Sequence, residues 1–150
     1  MVFKNLNKKT KTISPEKVAD ILRNILRAGK TDWSIEYFWV IGVRAKKIIY
    51  LNKITLGFFL NRNIIHYKEI FSLAILQGMD AIILAHNASP ERLTADKDNN
   101  RITKAVTDAG KILDIELLDH IIVGRDRYYS YQESAPQFFG PDKKGPPSRG

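Results

Sequence analysis

The chain has 150 residues, 44% hydrophobic and 27% charged, with a formal net charge of +8 and no cysteine. That length makes one domain with a sizeable core. The missing cysteine excludes disulfides, a thiol nucleophile and thiolate ligands, so a metal would have to rest on carboxylates and the three histidines. No apolar run is long enough to span a bilayer, and the N-terminus lacks the apolar stretch of a signal peptide. No membrane partner is expected, and the cytoplasm is the default location. The charge is uneven: residues 1–30 carry eight Lys and Arg against two Asp and Glu, while residues 81–120 carry five against seven. A basic N-terminal segment of this kind can hold nucleic acid through phosphate contacts, or can simply be a solvated tail.

Residues 1–13 are polar and basic, and are expected to be flexible. Ser14-Pro15-Glu16 opens a helix, with Ser at the N-cap, Pro in the first turn and an acid near the positive end. Val18, Ile21, Leu22, Ile25 and Leu26 recur at helical spacing, and Gly29 closes that helix. Residues 33–43 are aromatic and β-branched and read as a strand, and a turn at Ala45-Lys46-Lys47 leads into a second strand over 48–56. Glu36 is the acid within the first of these strands. It is either a strand-edge carboxylate in water or a carboxylate aimed at a neighbouring site, where partial burial would move it toward a general base. Residues 57–65 form a connection containing Phe58 and Phe59, and 66–78 form a helix with His66 as a capping or surface residue.

The region from Asp80 to Lys104 carries the functional signal. Ala81 to Ala85 reads as a strand buried on both faces, followed by a polar loop opening at His86 and a helix from about Asp98 to Leu113. The carboxyl end of such a strand, facing a helix start, is where α/β sheets place ligands. Residues 115–123 form another strand, in which Asp119 and His120 point to opposite faces, His120 beneath the sheet and Asp119 at its surface. Residues 127–131 form a short last strand. The Pro- and Gly-rich segment 134–150 is expected to be disordered or to lie along the surface.

Three blocks carry a family resemblance. They are Glu36-Tyr37-Phe38-Trp39-Val40-Ile41-Gly42; Tyr67-Lys68-Glu69-Ile70-Phe71 with Ile82-Ile83-Leu84-Ala85-His86-Asn87; and Ile102-Thr103-Lys104 through Ala109-Gly110-Lys111 and Ile115 to Gly124, followed by Tyr128-Tyr129-Ser130. Together they resemble the RadC-like branch of the JAB/MPN (JAMM metalloprotease) fold over roughly residues 15–133. The resemblance implies a three-layer α-β-α domain over 14–133, with a mixed central sheet of about five to six strands, like that of the cytidine deaminases. It also implies a zinc site with the signature His-x-His-Pro-Ser-Gly, then Ser-x-x-Asp at the next helix. In that pattern two His and the Asp bind zinc, an upstream Glu takes a proton from the bound water, and the Ser helps hold the oxyanion.

The match onto this chain is partial. Glu36 falls at the general base and His86 at the first ligand. Asn87 stands between the two His positions, and Ala88 falls where the second His belongs. Ser89, Pro90 and Glu91 replace Pro-Ser-Gly, Asp96 falls at the Ser position, and Asn99 at the ligand Asp. A methyl group binds no metal, and an amide oxygen is a poor replacement for a carboxylate, so no bound cofactor is expected. Glu91, Asp96 and Asp98 could supply oxygen ligands, best suited to Mg²⁺ or Mn²⁺, or could cap the helix. The expectation is a catalytically degenerate zinc metallohydrolase serving as a binding or scaffold module, with a protein or DNA partner; the family's name ties it to DNA repair. The alternative is an active metal-dependent peptidase or isopeptidase using Glu36 as base, with His86 and a loop carboxylate such as Asp98 as ligands. Asp114 stands where the family usually carries Gly, and Asp tolerates the left-handed backbone needed there.

Overall fold

Ser14 accepts the Lys17 amide through its hydroxyl and starts α1 (Pro15–Ala28), whose Val18, Ala19, Leu22 and Leu26 are buried along one stripe. In the computed structural model, residues 13–54 and 65–140 are described. After α1 come β1 (Phe38–Arg44), β2 (Lys47–Ile54), α2 (Tyr67–Gln77), β3 (Ala81–Asn87), α3 (Lys97–Leu113), β4 (Glu116–Val123), β5 (Tyr128–Ser130) and the single-turn helix α4 (Tyr131–Ser134). The expected connection with Phe58 and Phe59, the segment 1–12 and the tail from 141 lie outside the described residues.

The five strands lie in the order β2-β1-β3-β4-β5. Strand β1 is antiparallel to β2 and β3, β3 is parallel to β4, and β5 is antiparallel to β4. This is the mixed sheet with helices on both faces that the sequence implied. One face packs Trp39, Ile41, Val43, Ile83 and Ile121 against α1. The other packs Phe38, Val40, Ile82 and Leu84 against Ile70, Phe71 and Ala74 of α2 and Ile102 and Val106 of α3. Each buried Leu, Ile or Phe on these faces contributes roughly 1.5–3 kcal/mol.

Three expectations change. Residues 33–37 are not strand: Asp32 Oδ1 accepts both the amide and the hydroxyl of Ser34, and this side-chain turn holds the chain bent until Phe38. Strand β3 does not stop at Ala85, because His86 still pairs with Phe38 and Asn87 with Val123. The segment after 133 is not loose as far as it is described. Ala135 and Phe139 are buried, and a 3₁₀ turn over Pro136–Phe139 packs into the core beside α3. Asp114 ends α3 in the left-handed region at φ 60°, as its side chain allows.

Candidate functional site

The upper end of β3 sets Leu84, His86 and Ala88 on the face turned toward α2 and α3, since alternate residues share a face. Phe38 stands opposite His86 and stacks on its ring at 4.8 Å between centroids. Asn87 faces the other way and reaches back to the chain just before β1. Its Nδ2 donates to the Ile35 carbonyl at 2.9 Å, and its Oδ1 accepts from the Tyr37 amide at 2.7 Å. One carboxamide thus does for the backbone around Glu36 what a neighbouring strand would do, on both sides of that residue. Glu36 is thereby held with Oε2 3.6 Å from His86 Nδ1; its side chain is 19% exposed and the imidazole 1%. The sequence placed Glu36 on a strand; the structure places it two residues ahead of one, and still brings it to His86.

A column of rings continues from His86. His120 lies 5.2 Å away and Tyr131 stacks on His120 at 5.1 Å. Thr103 Oγ1 is 2.7 Å from His120 Nδ1 and donates to the Asn99 carbonyl at 2.7 Å. A hydroxyl has one hydrogen, so the imidazole Nδ1–H is the donor in the first of these contacts. The column therefore runs from the Glu36–His86 pair to the first turn of α3. There Asp96 is the N-cap, its Oδ1 accepting the Asn99 amide at 2.7 Å, and Asp98 lies in the first turn. Asn99 is 2% exposed and its buried Oδ1 has no hydrogen-bond partner. Ser89 is half-buried, just before a 3₁₀ turn over Pro90–Arg92.

Residues 12–136 match the family model described as the RadC-like JAB domain. The chain belongs to this family. It is similar to UPF0758 proteins: 38% identical over 123 residues to that of Alkaliphilus metalliredigens, covering 81% of this chain and 51% of the relative. It is 32% identical over 133 residues to that of Staphylococcus carnosus, covering 89% and 57%. It is 37% identical over 121 residues to that of Caldanaerobacter subterraneus subsp. tengcongensis, covering 80% and 50%. The chain therefore spans about half the length of these relatives.

At the positions that the family resemblance assigns to zinc ligands, the side chains present do not make a zinc donor set. His86 supplies one imidazole. Ala88, at the second His position, is a buried methyl in the same apolar cluster as Leu93. Asn99, at the Asp position, offers a neutral carbonyl oxygen. Among the described residues no group of three or more His, Asp and Glu is placed to hold an ion. Tetrahedral zinc needs three charged or imidazole donors besides water, and this set holds one.

The sequence misjudged Asp119. A register shift between β3 and β4 pairs Ile82 with Leu117 and Ile83 with Asp119, leaving Leu118 as the extra residue. The bulge switches the parity of β4. It sends His120 to the α3 face, beneath the sheet as expected, and turns Asp119 toward the α1 face. Asp119 is only 5% exposed, not at the surface. It accepts from Ser130 Oγ at 2.6 Å, the His120 amide at 2.7 Å and the Gln132 amide at 2.9 Å. Burial pushes its carboxyl up to about 6, against the lowering effect of those three donors. Two of its three partners lie 11 and 13 residues downstream, beyond the reach of any local pattern.

Proposed function

We propose that this RadC-like JAB domain has lost zinc hydrolysis and acts as a binding or scaffold module. The observation that carries the reading is the methyl of Ala88 and the carboxamide of Asn99 at two of the three ligand positions, with His86 left as the one imidazole. Zinc analysis of protein purified without chelator tests it. We expect far less than one zinc per chain, and stoichiometric zinc would refute the reading. In the double variant Ala88→His with Asn99→Asp, zinc binding is expected to return, because Glu36 and His86 already lie side by side. Ala88 is buried, so the variant's thermal unfolding must be checked alongside. A folded double variant that ignores zinc would mean that the site has drifted beyond those two residues. The module's partner is protein or DNA. A role beside DNA would rest on the basic N-terminal segment, and a salt titration of DNA binding with and without residues 1–13 decides it.

The Glu36–His86 pair supports a second reading, an active metal-dependent peptidase or isopeptidase. There Glu36 is the general base, and His86 with a loop carboxylate such as Asp98 holds the metal. It predicts a metal-dependent activity that disappears in Glu36→Gln. Equal rates in parent and variant would end it.

A further inference from the structure

Between Ala88 and the N-cap of α3 the chain runs over the carboxyl ends of β3 and β4. Pro90, Glu91, Arg92 and Thr94 of this stretch are exposed, and Leu93 is buried. Leu93 joins the apolar cluster that holds Phe38, Ala88 and Ile102. Its two methyls lie against Gly124, where a Cβ would come within 2.9 and 3.2 Å of them. Gly124 follows Val123, which pairs with Asn87, so it stands beside Ala88. Leu93 therefore fills the gap between the two strand ends, on the face that carries His86.

Little else holds this stretch down. The Arg92 amide donates to the Ser89 carbonyl at 2.9 Å and the Leu93 amide to the Pro90 carbonyl at 3.4 Å, both within the loop. Among the described residues no hydrogen bond ties residues 90–95 to another part of the protein, and Ala95 is only half-buried. The two ends are fixed: the Ala88 amide donates to the Val123 carbonyl at 3.0 Å, and Asp96 caps α3. A segment anchored at both ends, with one apolar side chain seated between them, opens far more readily than the sheet beneath it. His86, Ala88 and Asn99 are all buried, so a partner reaches them only after such an opening.

We propose that residues 89–95 form a lid over the Glu36–His86 site, latched by Leu93, and that withdrawal of Leu93 from its seat beside Gly124 opens the site. The lid governs whether the site is reached, not what it holds. It stands whether or not zinc hydrolysis is lost, and its test uses no metal.

The test is modification of histidine by diethyl pyrocarbonate in the full chain at neutral pH, with each site followed by mass spectrometry of its peptide. His120 is the internal control: it is buried one strand pair deeper, against Tyr131 and Thr103, and reports general loosening. Leu93→Ala is expected to speed modification of His86 roughly tenfold and to leave His120 at the parent rate. Gly124→Ala puts a methyl into the seat of Leu93 and is expected to act in the same direction with Leu93 intact. Thr94→Ala, an exposed change in the same loop, is expected to change nothing. In the parent the His86 rate is expected to stay level in low urea, because a local opening exposes little surface. That arm needs no variant and serves if the substitutions do not fold. An unchanged His86 rate in Leu93→Ala would overturn the proposal. So would an equal rise at His120, or a parent rate that climbs with urea in step with global unfolding.

Discussion

Asp119→Asn isolates one proton. In the folded protein the Asp119 carboxyl titrates at about 6, and in the unfolded chain at about 3.9. The gap of about 2 units corresponds to about 3 kcal/mol. Because the folded value is the higher one, the folded protein holds this proton more tightly. Its contribution to stability is complete below about pH 4 and is lost as pH rises through about 6. Asparagine cannot titrate, and its Oδ1 can still accept the two amides while Ser130 Oγ turns to accept from Nδ2. Urea unfolding followed through Trp33 and Trp39 fluorescence, from about pH 3.5 to about pH 7.5, measures both proteins. The stability of the variant relative to its parent is expected to rise by about 3 kcal/mol across this range. Taking the difference cancels the other carboxylates, which both proteins share. Parallel curves would refute the reasoning, and would mean that the three hydrogen bonds hold the carboxylate ionised at ordinary values.

Other substitutions test other parts of the frame. Asn87→Ala removes both bonds around Glu36 and is expected to cost about 2–3 kcal/mol; it should also speed hydrogen exchange at the Tyr37 amide, and unchanged protection there would show that the clamp holds nothing. Gly110→Ala gains helix propensity but drives a methyl into the Ile115 carbonyl, a backbone group that cannot step aside; we expect a net loss of about 2 kcal/mol in denaturant unfolding, and a more stable variant would contradict the close approach of α3 to β4. Arg23, 8% exposed, ties α1 to the β4–β5 turn by donating from Nε to the Gly124 carbonyl at 2.8 Å and from a terminal amino group to the Arg127 carbonyl at 3.0 Å. Arg23→Met keeps much of the packing but removes the guanidinium donor from both carbonyls, of which that of Arg127 still accepts the Gly124 amide, so a drop of about 1–3 kcal/mol is expected, read as a lower urea midpoint.

The sheet and its helices were legible because their signals are local. Ser14-Pro15 marks a helix start, Val18 to Leu26 gives a helical stripe, and Ile82 to Leu84 is an uninterrupted apolar run. The pairing of Glu36 with His86 was legible only through the family resemblance, since nothing in the spacing of residues 36 and 86 brings them together. The errors have a common origin in bonds made across distance or against composition. Trp33 to Tyr37 has the composition of a strand, but Asp32 bends it through Ser34. Asp119 is polar in an apolar strand and reads as exposed. A single extra residue at Leu118 reverses the alternation, and Ser130 and the Gln132 amide supply the donors from beyond the next turn. Composition made the C-terminal segment look loose, although Tyr131, Ala135 and Phe139 recur at helical spacing and bury themselves.

That last segment bears on where the gene can be cut. Asp119 grips it at Ser130 and Gln132, Tyr131 stacks on His120, and Phe139 reaches the core. A truncation after residue 133, which composition alone would recommend, removes Phe139 from its seat while leaving the strands complete. Fusion partners and purification tags belong after Gly140, where they would leave the ring column and the carboxylate that anchors it intact.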